Sequence, residues 1–289
     1  MIQPYTFTHQ AMATEFEIVI AQPDITHGQA QNAANEIFQD IDRLEEELSR
    51  FRPGSDIWNL NQLSKGQTMS LHLSTWDCLN LAKVTHQSTA GALDVTIGKL
   101  TQLWRNPDKT QRTPTSQQVT EARKEVGDTW YELIPDGLQV RVLTTGLEFD
   151  LGAIGKGYAL DQAMRILDDW GIHTVLLSAG ESTILALGSV DEQDLGWPIQ
   201  LRTYPPSTHW LKNEALSCSG FEHQGQHLMN PRTGYPVPLN RNRTYLSAPT
   251  AALSDALSTA FAIMEPQEIA DFCTKYPQVK WLSCSDDQA

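Results

Sequence analysis

Thr129-Trp130-Tyr131-Glu132-Leu133-Ile134-Pro135-Asp136-Gly137-Leu138-Gln139-Val140-Arg141-Val142-Leu143-Thr144-Thr145-Gly146-Leu147-Glu148-Phe149-Asp150-Leu151 is the stretch on which the fold class turns. Pro135-Asp136-Gly137 and Thr144-Thr145-Gly146 carry turn chemistry. They divide the stretch into three short segments, Thr129 to Ile134, Leu138 to Val142 and Leu147 to Leu151. Such a succession predicts an antiparallel β-meander.

Upstream, Phe16, Ile18 and Ile20 alternate with Glu17 and Val19, the pattern of a half-buried strand. Ala30, Ala34, Ile37, Ile41, Leu44 and Leu48 then recur at helical spacing and predict a long amphipathic helix to about Ser49, with Glu45, Glu46 and Glu47 on a solvated face. Pro53-Gly54-Ser55 breaks that pattern. Ser74, with Asp77 three residues on, predicts the cap of a second helix to about Thr89, and a third is expected from Ser116 to Val126. Downstream, Ala159, Ala163, Ile166 and Leu167 mark a helix that stops near Gly171. Val175 to Leu177 and Thr183 to Leu187 read as strands, with shorter ones near Ile199, Leu216 and Leu246. Helices from about Ala252 to Met264 and near Ile269 precede a last strand around Trp281. Hairpins mixed with helices, without regular βαβ alternation, predict an α+β fold of largely antiparallel sheets with packed helices. No repeat or linker divides the chain, so residues 1–289 are expected to form a single domain.

The 289 residues are 40% apolar and 19% charged, the composition of a soluble globular protein. A net charge of −14 argues against nucleic acid and acidic membrane surfaces as partners. A phosphate-bearing ligand would have to be neutralised locally. Cys78, Cys218, Cys273 and Cys284 are widely spaced and suggest neither a zinc site nor a disulfide framework. The start Met1 to Phe7 has no signal-peptide pattern and no run is long enough to span a membrane, so the chain as given reads as cytoplasmic.

The last meander segment runs into Asp150-Leu151-Gly152-Ala153-Ile154-Gly155-Lys156-Gly157-Tyr158-Ala159-Leu160-Asp161, where three glycines and a lysine meet the start of a helix. Glycine lets a backbone approach a ligand, free helix amides favour an anion, and Lys156 adds charge. A P-loop would need glycine at Asp150, and a dinucleotide fingerprint from Gly155 would need it at Leu160. Two readings stay open: a phosphate or metal junction, or a helix start with packing glycines.

Asp255 and Thr259 stand four apart on the late helix and share a face. They could offer two hard oxygen ligands to Mg²⁺, with a glycine carbonyl as a third, or simply bond to each other. His223 and His227 are also four apart, but Gly225 between them favours a loop, where a histidine can serve as base or polar contact. Asp94, beside Gly91, and Glu181, after Gly180, are carboxylates at glycine turns.

The order of these pieces is more specific than any one of them. Met12-Ala13-Thr14, Ser49 to Ser55 with Asn61, Gly91-Ala92-Leu93-Asp94, Asp150 to Asp161, Ala179-Gly180-Glu181, Ser219-Gly220, His227 to Gly234 and Ser254 to Thr259 follow one another along nearly the whole chain. In this the sequence resembles the ApbE family, the FAD:protein FMN transferases. The resemblance implies a T-fold-like core and Mg²⁺ chemistry on FAD: a threonine of an acceptor flavoprotein attacks the FMN phosphorus and AMP leaves. It implies Gly155 (through its carbonyl), Asp255 and Thr259 as metal ligands, and His227 and Asp255 as catalytic residues. The flavin nucleotide would contact Met12, Phe51, Asp94, Lys156, Gly180, Glu181, Ser219, Gly220, His227 and Arg232. The chain departs from the family pattern at Leu93, Val95, Gly155, Ala179 and Asn230. Two further readings keep the same pocket: an FAD pyrophosphatase that uses water, and a flavin-binding protein without turnover.

Overall fold

The computed structural model describes residues 4–106, 108, 110–203, 206–219, 228–238 and 244–283. The chain opens with a hairpin, β1 (Tyr5–Ala11) and β2 (Thr14–Ile20), followed by the long helix α1 (His27–Leu48) and the short α2 (Asp56–Leu60). Next come β3 (Thr68–Ser70), α3 (Leu73–Ser88), α4 (Gly98–Trp104), α5 (Ser116–Arg123), β4 (Tyr131–Ile134) and β5 (Gln139–Val142). The second half holds α6 (Gly155–Asp169), β6 (Val175–Ala179), β7 (Thr183–Leu187), the hairpin β8 (Trp197–Leu201) and β9 (Ser207–Leu211), and β10 (Glu214–Ser219). It closes with β11 (Met229–Asn230), β12 (Tyr235–Pro236), β13 (Thr244–Ala248), α7 (Ala251–Phe261), α8 (Pro266–Lys275) and β14 (Lys280–Ser283).

The main sheet has seven strands in the order β1-β2-β6-β7-β10-β13-β14, every neighbouring pair antiparallel. Its two faces are separated by the strand period. Phe16, Ile18 and Ile20 of β2 pair with Ala179, Leu177 and Val175 of β6, and all six face the main core with α1, α6 and α7. Val19, Leu176, Ile184, Ala186 and Leu216 point the other way, where Trp197, Ile199, Leu201 and Leu211 of the β8–β9 hairpin cover them. Burial on both sides explains why β6 reads as an unbroken apolar run rather than an alternation.

Helix α1 starts at a capping box in which Thr26 and Gln29 satisfy each other's backbone amides, and it buries Ala30, Ala33, Ala34, Ile37, Ile41, Leu44 and Leu48. One member of its acidic cluster is not solvated: Glu47 is buried, bonded to Arg43 and to the Ser74 hydroxyl. Ser74 is therefore not the cap of α3; that position falls to His72, whose backbone amide donates to Asp56 Oδ2 at 2.7 Å.

The meander is two-thirds correct. β4 and β5 pair as expected across the Pro135–Leu138 turn, but the third strand of this small sheet is β3, which pairs Met69 with Val140. The Leu147–Leu151 segment is no strand because other parts of the chain take its backbone groups. Asn61 both accepts from Phe149 N at 2.6 Å and donates to Phe149 O at 3.1 Å, Gly98 N donates to Glu148 O, and Asp150 N donates to Val95 O.

Candidate active site

The glycine-lysine junction is built outward from Asp150. Its Oδ1 accepts from Gly152 N at 2.9 Å and its Oδ2 pairs with Arg50 Nη1 at 2.8 Å, so the loop enters α6 already braced. The N-cap of α6, Ile154, has no capping side chain, which leaves first-turn amides for other acceptors. One of these, Gly157 N, donates to Asp255 Oδ2 at 3.3 Å. Lys156 Nζ reaches the same oxygen at 3.3 Å and the Gly152 carbonyl at 3.1 Å, while Thr183 Oγ1 donates to Asp255 Oδ1 at 3.1 Å. Asp255, 4% exposed, is thus surrounded by a cation, an amide and a hydroxyl.

Gly157 shows why this meeting needs glycine. A Cβ there would lie 2.2 Å from the Ala251 carbonyl oxygen and 2.7 Å from Ala252 N, so only a glycine lets α6 rest against the start of α7. One turn later Asp161 accepts from Ala251 N at 2.7 Å and Ala252 N at 2.9 Å, closing the amino end of α7 from the neighbouring helix. Burial pushes the Asp161 carboxyl up to about 6. Gly155, in contrast, has room: an added Cβ would meet only Leu48 Cδ1 at 3.8 Å.

Of the other expected site residues, Ser219 reaches the helix that carries Asp255. Ser219 Oγ lies 2.9 Å from Ser258 Oγ on α7, next to Asp255 and Thr259. Ser217 sits opposite Thr183, and its buried hydroxyl has no hydrogen-bond partner among the described residues. Met12 forms the β1–β2 turn with Ala13, both at positive φ. That turn abuts the Gly180 turn, where Gly180 N donates to Glu15 O and a Cβ would come 2.4 Å from Thr14 Oγ1. Phe51 is 78% exposed, with the Arg50 guanidinium 5.1 Å from its ring centre.

Two expected ligand contacts are engaged within the protein. Asp94 is buried, and its Oδ1 accepts from Thr96 N at 2.8 Å and Thr96 Oγ1 at 2.6 Å, while its Oδ2 is 3.2 Å from His86 Nδ1. Arg232 holds both Glu268 oxygens at 3.0 Å and donates to the Ala90 and Thr89 carbonyls at 3.0 and 2.6 Å. It therefore ties the Asn230–Gly234 turn to the end of α3 and to α8. Glu181 faces Arg202 at 3.0 Å on the surface. Gly220 and His227 lie outside the described residues.

Reasoning from sequence missed Arg50, Thr183 and His86, and gave Asp161 no role. Asp161 lay inside the quoted motif, yet its partners are 90 and 91 residues away. Thr183 carries no local signal at all.

The hard oxygens that the chain offers in this region are the Asp255 carboxylate, the Thr259 hydroxyl one turn on along α7 and the Gly155 carbonyl, two residues before the Gly157 amide that donates to Asp255. Among the described residues no group of three or more His, Cys, Asp and Glu could hold a metal ion. One carboxylate with neutral oxygens, beside the unpartnered Ser217 hydroxyl, fits a small hard cation that keeps several waters better than a transition metal. No helix among the described residues is long and apolar enough to cross a membrane.

The profile of the ApbE family matches residues 12–282. The FAD:protein FMN transferase of Haemophilus influenzae is 28% identical over 255 residues, covering 81% of this chain and 70% of the relative. That of Klebsiella pneumoniae is 25% identical over 280 residues, 90% of this chain and 78% of the relative. In three dimensions, the flavin transferase ApbE from Vibrio cholerae superposes with a TM-score of 0.84 at 22% identity, covering 99% of this chain and 95% of that one. The ApbE protein of Thermotoga maritima gives 0.81 at 24% identity, with 96% and 94% covered. These two likenesses speak for the α+β fold, and the profile, matched along almost the full length, speaks for descent: the chain belongs to the ApbE family.

Proposed function

We propose that this chain, acting as one domain, is a Mg²⁺-dependent FAD:protein FMN transferase that attaches FMN through a phosphoester to a threonine of an acceptor flavoprotein and releases AMP. The observation that carries the reading is buried Asp255 held between Lys156 and the first turn of α6, with Thr259 one turn along the same helix. The name shared by the relatives supports it.

Asp255, Thr259 and the Gly155 carbonyl would hold Mg²⁺, which when bound neutralises charge on the pyrophosphate. The rest falls to the chain's own residues. Lys156, at the amino end of the α6 dipole, meets the phosphates, giving local positive potential in a protein of net charge −14. Phe51 offers an exposed ring to the flavin, and the Met12, Gly91–Asp94, Gly180 and Ser219 segments border the substrate. The threonine Oγ bonds to the FMN phosphorus as the bond to the bridging oxygen breaks. His227 takes the hydroxyl proton, and the bridging oxygen leaves on AMP.

The test is incubation of the protein with FAD, Mg²⁺ and an acceptor flavoprotein, followed by mass spectrometry. An FMN adduct together with AMP is expected. Free FMN with AMP and no adduct would replace the transferase by a hydrolase, and intact bound FAD would overturn both.

A further inference from the structure

The last turn of α3 carries a histidine outside every motif. His86 Nδ1 lies 2.9 Å from the Leu93 carbonyl oxygen and 3.2 Å from Asp94 Oδ2, and Nε2 lies 3.4 Å from Asp128 Oδ1. All three neighbours are acceptors, so both ring nitrogens are satisfied only when both carry protons. The ring packs beside Gly91, where a Cβ would come 3.5 Å from His86 Cε1. The acceptors are themselves fixed. Asp94 is bonded to Thr96, whose hydroxyl accepts from Gly127 N at 2.8 Å, and Asp128 Oδ2 accepts from Gln87 Nε2 at 3.1 Å. His86 therefore links α3, the Gly91–Thr96 turn and the Gly127–Asp128 segment.

Charged groups approach from every side. Asp94 and Asp128 flank the ring. Lys83, on the same helix, bonds to the Asp128 and Tyr131 carbonyls. Arg123 and Lys124 at the carboxyl end of α5, Arg232 from the β11–β12 turn and Tyr235 of β12 line the same cavity of about 510 Å³. Arg232 is paired with Glu268 and Lys124 with Glu121. Burial by itself pulls the imidazole pKa down, but the bond to Asp94, the charges of Asp94 and Asp128 and the Leu93 carbonyl together hold it above the ordinary histidine value.

We propose that His86, as an imidazolium, is a positioning residue for FAD: by holding Leu93 O and Asp94 it keeps the Gly91–Asp94 turn in the shape that receives the substrate. This rests on the flavin-transferase reading. The turn adjoins the phosphate junction, since Val95 O accepts from Asp150 N at 2.7 Å. His86 touches no reacting group, so its effect falls on binding rather than on the chemical step. When it loses its proton, one ring nitrogen turns a lone pair toward an acceptor and the turn loosens.

The experiment measures FAD affinity by flavin fluorescence, with KM and kcat, on the full chain with Mg²⁺ between pH 6 and 9. In the wild type the dissociation constant should rise about tenfold along the alkaline limb, the effect of one charge-assisted hydrogen bond. His86→Gln should bind FAD weakly at pH 6 already, with a flat profile and kcat within about twofold of wild type. Asp128→Asn, which removes one charge favouring the imidazolium, should move the limb to lower pH, and it keeps the proposal testable if His86→Gln folds poorly. Parallel profiles for wild type and His86→Gln, a kcat loss at unchanged KM in that variant, or an unmoved limb in Asp128→Asn would overturn it. A wild type that binds no FAD at any pH would overturn the flavin reading and this one together.

Discussion

Gly157→Ala and Gly155→Ala, two residues apart on one turn, should change stability in opposite directions. The Cβ at 157 would stand 2.2 Å from a backbone carbonyl oxygen, short of the 3.4 Å at which ordinary contact begins, so α6 and the start of α7 must part by about 1 Å. The Asp161 bonds, at 2.7 and 2.9 Å, cannot survive that separation. Overpacking costs about 1–3 kcal/mol and loss of the cap about 1 more, while the alanine gains about 1 in helix propensity. The net destabilisation is about 1–3 kcal/mol, a large share of a typical domain's stability of about 5–15. At 155 the new Cβ makes an ordinary 3.8 Å contact with Leu48, and the same propensity yields a gain of about 0.5–1 kcal/mol. Urea unfolding followed by circular dichroism reads both as shifts of the midpoint at constant slope. Activity should separate them as well. Gly157→Ala displaces Asp255 from Lys156 and should lose about 100-fold in turnover, whereas Gly155→Ala keeps its backbone carbonyl and its activity. A Gly157→Ala protein as stable as the wild type would refute the helix-contact argument.

Asp255→Ala should abolish Mg²⁺-dependent FAD cleavage, a loss of at least about 100-fold, with the fold retained by circular dichroism; full activity would remove Asp255 from the mechanism. Asp161 titrates near 6 when folded, above the ordinary carboxylate range, so the folded state holds a proton that the unfolded chain has already released. Stability from this group therefore falls as pH rises from about 4 to about 6, and Asp161→Asn should remove that slope in pH-dependent melting while costing about 1 kcal/mol of cap. Arg232→Ala frees the Thr89 and Ala90 carbonyls and the Glu268 partner. With the arginine side chain 27% exposed, about 1–2 kcal/mol is expected in urea unfolding, and an unchanged midpoint would show the clamp to be idle.

The elements that sequence made legible are those that bury a regular or unbroken apolar run. Phe16, Ile18 and Ile20 gave β2, and the spacing from Ala30 to Leu48 gave α1. The edge strand β1 was not assigned although Tyr5 and Phe7 alternate with Thr6 and Thr8, and β9, with its polar Ser207-Thr208-His209, offers little apolar signal. The Leu147–Leu151 error has a clear physical origin. Apolar residues between turns predict burial, and Leu147, Phe149 and Leu151 are buried, but strand pairing depends on which backbone partner arrives, and here Asn61 did. At the site, the Gly155-Lys156-Gly157 run and Asp255 stood out in the sequence, and the structure brings Lys156 and Gly157 against that carboxylate. The distant contacts Thr183 to Asp255, Asp161 to Ala251 and His86 to Asp128 were not, because each depends on how separate segments pack rather than on spacing within one.

The order of the seven strands follows the order of the chain without exception. During synthesis each strand therefore leaves the ribosome with its upstream neighbour already made, and the excursions between strands, α1 to α6 among them, need only return to the growing edge. Such vectorial assembly spares the nascent chain a long wait for a distant partner. The glycine-lysine junction, however, stays incomplete until α7 emerges and Asp161 can seize its first amides. A chain arrested before Ala251 would carry Lys156 without the Asp255 carboxylate that meets it in the finished fold.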